Sequence, residues 1–574
     1  MTVMMTSERK WFGLAVKAVV AAVAVAVLAA AWTAYAPFVR DVSTIAASAL
    51  AMAACNADRV QGTATEPLLK FEVDQAPLSF GSVWHDADLQ SYEARFLAAN
   101  ASAVYVSRLH GCVLQPLSPH MQAARDLYHR AVSAESEQDA AEVGALQALL
   151  AQLRPGGPRQ TQAHTADKDK EISRGSRKSG ESQADDHRSS SSSSDVNDDA
   201  NDDDDGTGYF GDTALCSDDE RLSEEEIAAL QAIFDAEIKR GEQQQEHTRG
   251  LAAVHCGKLV AESYASWLNI TADSAQLGWS MSKSVLSTLI GVAIGEGRIK
   301  LEDLLDLDMD ESVDNDLIQL RHLLHMVDGL DYNEHYCMIN DPARMLFLER
   351  STAGFARNKA PAHLPGERWC YNSGATNLAS WMLRQSFPSW WDYWRFPYEK
   401  LFAPIGAKSF VLETDSEGIF VGSSFGFATA RDWARFGVLH LQNGTWRGSR
   451  VVPSQPDPYP TTYAFNDGVF ADGWWYPPQG HANITRLRED PTNACLVKYL
   501  EMWGWATNVL PAGTAFSAGY KGQYIFVVPP LHLVLVRLGN GWQDEVRNSV
   551  VKQVLDTVTR ASASPSHKQA VQWQ

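Results

Sequence analysis

The chain is short of positive charge. Its 574 residues hold 49 Lys and Arg against 70 Asp and Glu, a formal net charge of -21. No basic stripe with interleaved aromatics occurs, which excludes a nucleic-acid-binding surface. About half of the imbalance is local, since Asp195–Glu220 contains eleven acidic residues and no Lys or Arg. Cysteine is scarce too. Seven cysteines without a C-x-x-C pair exclude a zinc ribbon or a thioredoxin-like redox motif, and the odd count leaves at least one free thiol. Cys55 and Cys112 are candidates for a bridge in an oxidising compartment.

A membrane-targeting segment is present but short. Arg9, Lys10 and Lys17 precede Ala18–Trp32, a run without a polar residue, whereas a comfortable span takes roughly 20 residues. Apolar character continues to about Val39. Residues 1–39 are therefore expected to form a single-pass anchor with the catalytic region lumenal or extracellular, a cleaved signal peptide and secretion being the alternative. Pro37 after Ala34-Tyr35-Ala36 disfavours cleavage there. Sequons at Asn100, Asn269, Asn443 and Asn483 fit export.

Residues 40–154 are expected to be an exported segment belonging to the catalytic module, with a β-like run Ser102–Leu109 and a helical pattern from Pro119 to Leu153. Residues 155–211 lose their apolar side chains and become rich in Ser, Asp, Lys and Arg, so they cannot build a core. They are expected to be a disordered insert, tolerated because long surface loops add little closure entropy. The catalytic region is expected over residues 212–562, followed by a disordered tail, 563–574.

Within that region the chain is organised around Leu277–Gly297, LGWSMSKSVLSTLIGVAIGEG. Apolar residues run almost all round it, as in a buried core helix. Ser280 and Lys283 stand three residues apart at its mouth, nearly one turn, so the lysine nitrogen reaches the serine hydroxyl. Apolar burial lowers a lysine from its usual pKa of roughly 10.4 and makes it a base. The helix N-terminus favours a developing oxyanion. Spacing alone is weak evidence, for Ser7 and Lys10 share it in a charged tail, and an N-cap serine with a snorkelling lysine fits it better.

Elsewhere, Ser223 and Glu226 form a capping box opening a helix to Glu237. Leu251–Ala265 reads as a hairpin turning at Cys256-Gly257. Tyr524–Val528 and Leu533–Leu538 are β runs before an amphipathic helix, Glu545–Val558. The fold class expected is α/β (α+β): one antiparallel sheet formed by both ends of the catalytic region, with flanking helices and an inserted helical region.

Five stretches in order resemble the serine β-lactamase/penicillin-binding-protein family, in its class C-like branch with esterases and 6-aminohexanoate-dimer hydrolase: GWSMSKS (Gly278–Ser284), IQLRHLLHMVDGLDYNE (Ile318–Glu334), PGERWCYNSGATNL (Pro365–Leu378), GSSFGFATARDWARFGVLHLQNG (Gly422–Gly444) and GYKGQ (Gly519–Gln523). The resemblance implies a β-lactamase/DD-peptidase-like fold, Ser280 as nucleophile, Lys283 as its activator and Tyr371 as proton shuttle, its phenolate stabilised by Lys283. It further implies substrate and oxyanion contacts from Ser373, Tyr520, Gly522 and Gln523, with the N–H groups of Ser280 and Gln523 as oxyanion donors. Ser373 replaces an asparagine, and Tyr520 stands where this branch usually shows histidine. GYKGQ is expected on the strand beside the nucleophile, where alternation sends Tyr520 into the cleft and turns Lys521 away.

The reaction expected is acylation of Ser280 by a small-molecule amide or ester and deacylation by water, with neutral substrates favoured over penicillins. No metal or organic cofactor is implied. A metal site at His322, His325 and His335 lacks a completing carboxylate at a known spacing. Trp390, Trp391, Trp394, Trp474 and Trp475 are expected as core and cleft lining rather than a carbohydrate platform. The alternative function is a catalytically inactive, membrane-tethered interaction protein.

Overall fold

The computed structural model describes most of residues 210–562 and parts of 41–125. Residues 1–40, 126–209 and 563–574, with the internal stretches 57–81, 306–316, 336–339, 454–469 and 478–486 and a few shorter gaps, lie outside it. The expected anchor, nearly all of the expected insert and the tail thus lie outside the described residues. Among the described residues no helix is long and apolar enough to cross a membrane.

The N-terminal part holds a four-stranded antiparallel meander: β1 (Ser82–Asp86), β2 (Ser91–Phe96), β3 (Ala99–Ser107) and β4 (Gly111–Leu114). Of the β-like run expected at Ser102–Leu109, residues 102–107 end β3, and 108 and 109 lie outside the described residues. Cys55 and Cys112 are bonded as a disulfide. Ala46, Ala47 and Met52 share a core with Ala94 and Ala103 of the meander and with Tyr332, Val421 and Phe425 of the following region. The Cys112 N–H donates to the buried Glu413 carboxylate at 2.7 Å, so this part docks through both apolar and polar contacts.

The described residues resume with Phe210 and Gly211, the last two of the expected insert. Phe210 is buried, its N–H donates to the Gly257 carbonyl at 2.6 Å, and the Arg435 guanidinium stacks 4.4 Å from its ring centre. Helix α1 (Glu224–Gln244) then opens with the capping box, the Ser223 N–H donating to Glu226 and the Glu226 N–H to the Ser223 hydroxyl.

Next come β5 (His247–His255) and β6 (Lys258–Tyr264), the hairpin expected from the Cys256-Gly257 signal. Helices α2 (Ser282–Gly295), α3 (Ser373–Gln385) and α4 (Ala430–Leu441) follow. The chain returns through β7 (Phe470–Ala471), β8 (Trp474–Trp475), α5 (Ala494–Val509), β9 (Ala515–Gly519), β10 (Gln523–Val528), β11 (Leu533–Asn540) and α6 (Asp544–Ser562).

The main sheet is antiparallel, in the order β7-β8-β9-β10-β11-β5-β6. Its closure is the pairing of β11 with β5, Leu533 opposite His255 through Leu538 opposite Gly250. Both ends of the catalytic region therefore meet, as expected. Alternation divides the strands between two cores. Leu251, Ala253, Leu533 and Leu535 face α1, α5 and α6, whereas Ala252, Val254, Val534 and Val536 face α2 and α4. A sheet covered on both faces by helices is a rigid platform for α2.

Two disulfides, Cys216–Cys256 and Cys370–Cys495, were not legible in the sequence. They close loops of 40 and 125 residues, and spacing alone does not reveal such pairs.

Candidate active site

Ser280 lies just before α2, in a short 3₁₀ turn, Trp279–Met281. The turn is tight because Trp279 adopts φ 49°, a left-handed conformation unusual for a bulky residue. Ser282 pins it: its hydroxyl donates to the Trp279 carbonyl at 2.7 Å and accepts from the Gly426 N–H at 2.8 Å. The end of β9 closes the other side. A Cβ on Gly519 would stand 2.0 Å from the Gly278 carbonyl oxygen, so only glycine permits this approach. Ser280 itself remains half-buried, with the turn holding its side chain toward Lys283.

Lys283 is buried on the first turn of α2. Its Nζ donates to the Ser280 hydroxyl at 3.1 Å, the Ser373 hydroxyl at 3.0 Å and the Ser423 carbonyl at 2.9 Å. Burial pulls its pKa from 10.5 down to about 8, against the opposing pull of the Glu334 charge. The expected depression of this lysine is thus present.

The Tyr371 hydroxyl faces that of Ser280. The ring is buried in an aromatic cage, stacked on Trp475 with 5.3 Å between centres and packed against Phe470 and Tyr499. Burial, then the Glu334 charge, push its phenol well above the ordinary range, and the Ser280 hydrogen bond only partly offsets this. The stabilisation of a Tyr371 phenolate by Lys283 that the resemblance implies is thus opposed by this burial. Lys283 Nζ sits 4.9 Å from the ring centre, yet desolvation dominates. Tyr371 is a neutral hydroxyl, and Lys283 is the better base.

The structure also brings in two carboxylates that sequence reading left without a role. Asp328 accepts from the Asn372 amide at 3.1 Å, while Asn372 caps α3 by accepting from the Ala375 N–H at 3.0 Å. Burial raises Asp328 to about 6. Glu334 accepts from the Ser373 N–H at 2.8 Å and from the Ser373 hydroxyl at 2.6 Å. The stretch Ile318–Glu334 thus clamps the two residues after Tyr371, one carboxylate to each. Their signal was an acidic pair in a stretch already matched to the family, but acidic loop residues are usually solvated.

GYKGQ does not run along one strand but turns between two. Gly519 ends β9, Gln523 begins β10 opposite it, and Tyr520–Gly522 form the connecting turn, with Lys521 and Gly522 at φ 60° and 85°. Strand alternation accordingly does not orient Tyr520 and Lys521. Tyr520 still reaches the site, its ring 5.5 Å edge-on from Trp279, next to Ser280. Gly522 serves the turn; Gly519 makes the close approach to the nucleophile turn. The Gln523 side chain is held across the sheet, accepting from the Gly539 N–H at 2.8 Å and donating to the Gly539 carbonyl.

Among the remaining candidates, His322 accepts from the Gln319 N–H at 3.1 Å, and burial lowers His325 to about 4. Among the described residues no group of three or more His, Cys, Asp or Glu could hold a metal ion. Trp394, Trp474 and Trp475 are buried in the core, and Trp390 and Trp391 pack partly buried against it.

The arrangement defines a class: an α/β fold whose buried Lys283 and Tyr371 meet at Ser280 on the edge of a core helix. A family model described as Beta-lactamase matches residues 232–558, and the chain belongs to that family. By that membership it is a β-lactamase-related hydrolase. It is 25% identical over 282 residues to 6-aminohexanoate-dimer hydrolase of Paenarthrobacter ureafaciens, covering 43% of this chain and 70% of the relative. Among solved structures, D-amino acid amidase from Ochrobactrum anthropi SV3 shares 15% identity over 59% of this chain and 99% of its own, with a TM-score of 0.39. A class C β-lactamase shares 13% over 58% and 98%, with a TM-score of 0.40.

Proposed function

We propose that Ser280 attacks a neutral ester or amide to form an acyl-enzyme, which water then releases. The observation that carries this reading is the depressed, buried lysine within hydrogen-bond reach of a half-exposed serine. At neutral pH roughly a tenth of a lysine with pKa about 8 is unprotonated, enough to supply a general base. In this reading Lys283 takes the Ser280 proton, and the neutral Tyr371 hydroxyl passes a proton to the leaving group. The Ser280 N–H and a backbone N–H of the Gly519–Gln523 hairpin would receive the oxyanion. Intact mass after incubation with activated esters, amides and β-lactams tests it: an added acyl mass supports the reading, and none across the panel sinks it.

Substrate preference follows from the mouth of the site. Trp279 meets Tyr520 and, at 6.2 Å, Phe425, which in turn meets Phe347 at 6.1 Å. Trp279 and Tyr520, half-buried beside Ser280 and backed by the buried Phe425, suit apolar, uncharged groups. Neutral ester turnover is expected to exceed penicillin turnover by at least on the order of tenfold in kcat/KM, the scale of one missing charge contact. Efficient penicillin hydrolysis would overturn this preference.

We further propose that the catalytic region works in an oxidising, exported compartment. Three disulfides, Cys55–Cys112, Cys216–Cys256 and Cys370–Cys495, fit that setting, and the N-terminal apolar segment is the natural route there. Protease added to sealed vesicles should spare the catalytic region if it is lumenal, or digest it on intact cells if it is extracellular. A protein recovered entirely from the cytosol with reduced cysteines would refute the placement.

A further inference from the structure

We propose that Glu334 is a positioning residue: by holding the hydroxyl proton of Ser373 it turns the lone pair of Lys283 onto Ser280. The proposal rests on Ser280 being the nucleophile and identifies what aims its base.

Hydrogen-bond polarity decides which serine the amine lone pair faces. A neutral lysine amine has two N–H donors and one lone pair, and Lys283 Nζ has three partners, the Ser423 carbonyl at 2.9 Å and the hydroxyls of Ser373 at 3.0 Å and Ser280 at 3.1 Å. The carbonyl can only accept, so it takes one N–H. The second N–H and the lone pair are left to be divided between two hydroxyls, each able to donate or accept. If Ser373 donated, the base would face the wrong serine.

Glu334 removes that choice. The Ser373 hydroxyl donates to Glu334 Oε1 at 2.6 Å, and the Ser373 N–H donates to Oε2 at 2.8 Å. Both oxygens are engaged by one residue, so the carboxylate cannot swing away without breaking two bonds. It also sits at the N-terminus of α3, where negative charge is favoured. With its proton committed, Ser373 can only accept from Lys283. The lone pair then falls to Ser280, whose O–H must point at the amine. A carboxylate is required here because it is acceptor-only; an amide brings a donor that would reverse the Ser373 hydroxyl.

Glu334 is also the charged group whose field reaches Lys283 and favours its ammonium form. Among the described residues, the other groups that face Lys283 are uncharged: the Tyr371 ring from the segment before α3, Ser373 from α3, the Ser423 carbonyl and Ser280. Tyr332 and Tyr499, which feel the same Glu334 charge, are buried and neutral. Removing the charge should therefore do two separable things: misdirect the base, which lowers the maximal rate, and ease deprotonation of Lys283, which moves the rising limb of the pH profile to lower pH.

The experiment is the rate of Ser280 acylation by a p-nitrophenyl ester across a pH series spanning the Lys283 titration. It is run on wild type, Ser280→Ala, Glu334→Gln, Glu334→Asp, Ser373→Ala and the Glu334→Gln/Ser373→Ala double variant, each with its melting temperature. Glu334→Gln should lose on the order of a hundredfold in plateau rate, the scale of a displaced acid–base group, with its limb at lower pH. Glu334→Asp should recover part of the rate and return the limb. Because Glu334 acts through Ser373, the double variant should be no slower than the slower single variant. Should Glu334→Gln not fold, Ser373→Ala carries the test, and an unchanged rate in it overturns the proposal. Wild-type rates in Glu334→Gln, or an unmoved limb with losses that simply add, overturn it as well. Equal labelling of wild type and Ser280→Ala would instead refute the nucleophile, which separates the two failures.

Discussion

Ser280→Ala is expected to abolish covalent labelling by activated esters and fluorophosphonates while the protein stays folded. The chemistry requires a nucleophilic oxygen at this point, and removing the nucleophile of a coupled serine–base system has cost about a millionfold in kcat where it has been measured. The fold should tolerate the change. Ser280 is half-buried in the 3₁₀ turn, the turn is held by Ser282 rather than by Ser280, and Lys283 keeps two acceptors, Ser373 and the Ser423 carbonyl. The buried hydroxyl of Tyr371 loses its Ser280 partner, at a cost of about 1–3 kcal/mol at most. A melting temperature within a few degrees of wild type and a missing mass adduct together make the expected result. Equal labelling of both proteins would remove Ser280 from the mechanism. Absence of labelling in wild type under every probe would favour the inactive, tethered interaction protein.

The architecture was legible where local chemistry and global fold agree. The capping box at Ser223 and Glu226, the Cys256-Gly257 turn and the β runs Tyr524–Val528 and Leu533–Leu538 each carry a local signal, and each became the expected element. The apolar surround of α2 announced a core helix, whereas the spacing of Ser280 and Lys283 at its mouth was weak alone and drew its weight from the five stretches in family order. The rest depended on contacts distant in sequence. Asp328 and Glu334 act on Asn372 and Ser373, separated by 44 and 39 residues, and nothing in their own neighbourhood distinguishes them from solvated acids. GYKGQ misled because motif order was read as strand, although Lys521-Gly522 followed by a β run is itself a turn signal. The left-handed Trp279 had no signal at all, since a bulky residue at positive φ is imposed by the packing around it.

The second large effect concerns Lys283, and its pH dependence gives the sharper result. In the proposed mechanism acylation needs the neutral amine, and burial pulls its pKa down to about 8. The rate should therefore fall about tenfold per pH unit below that value and level off above it. Lys283→Met, close in volume, should lose at least on the order of a hundredfold and show no such limb, and Lys283→Arg should be equally slow because a guanidinium stays protonated. Stability, like activity, should rise with pH, but over a higher window. In the unfolded chain this lysine titrates near 10.5, in the folded chain near 8, so at neutral pH both states are charged and folding must bury an ammonium. Between those values the unfolded chain binds one proton more than the folded one, and stability rises with pH. The burial penalty at neutral pH is on the order of 3 kcal/mol, reduced in the comparison by the hydrogen bonds the methionine cannot make. Lys283→Met should thus compare best with wild type near neutrality, and wild type should gain on it steadily as pH rises from about 8 toward 10. Denaturant melts of both proteins over that range check the sign. A stability difference that stays flat with pH, together with a wild-type rate profile lacking a rising limb, would mean that Lys283 is not the depressed base on which acylation depends.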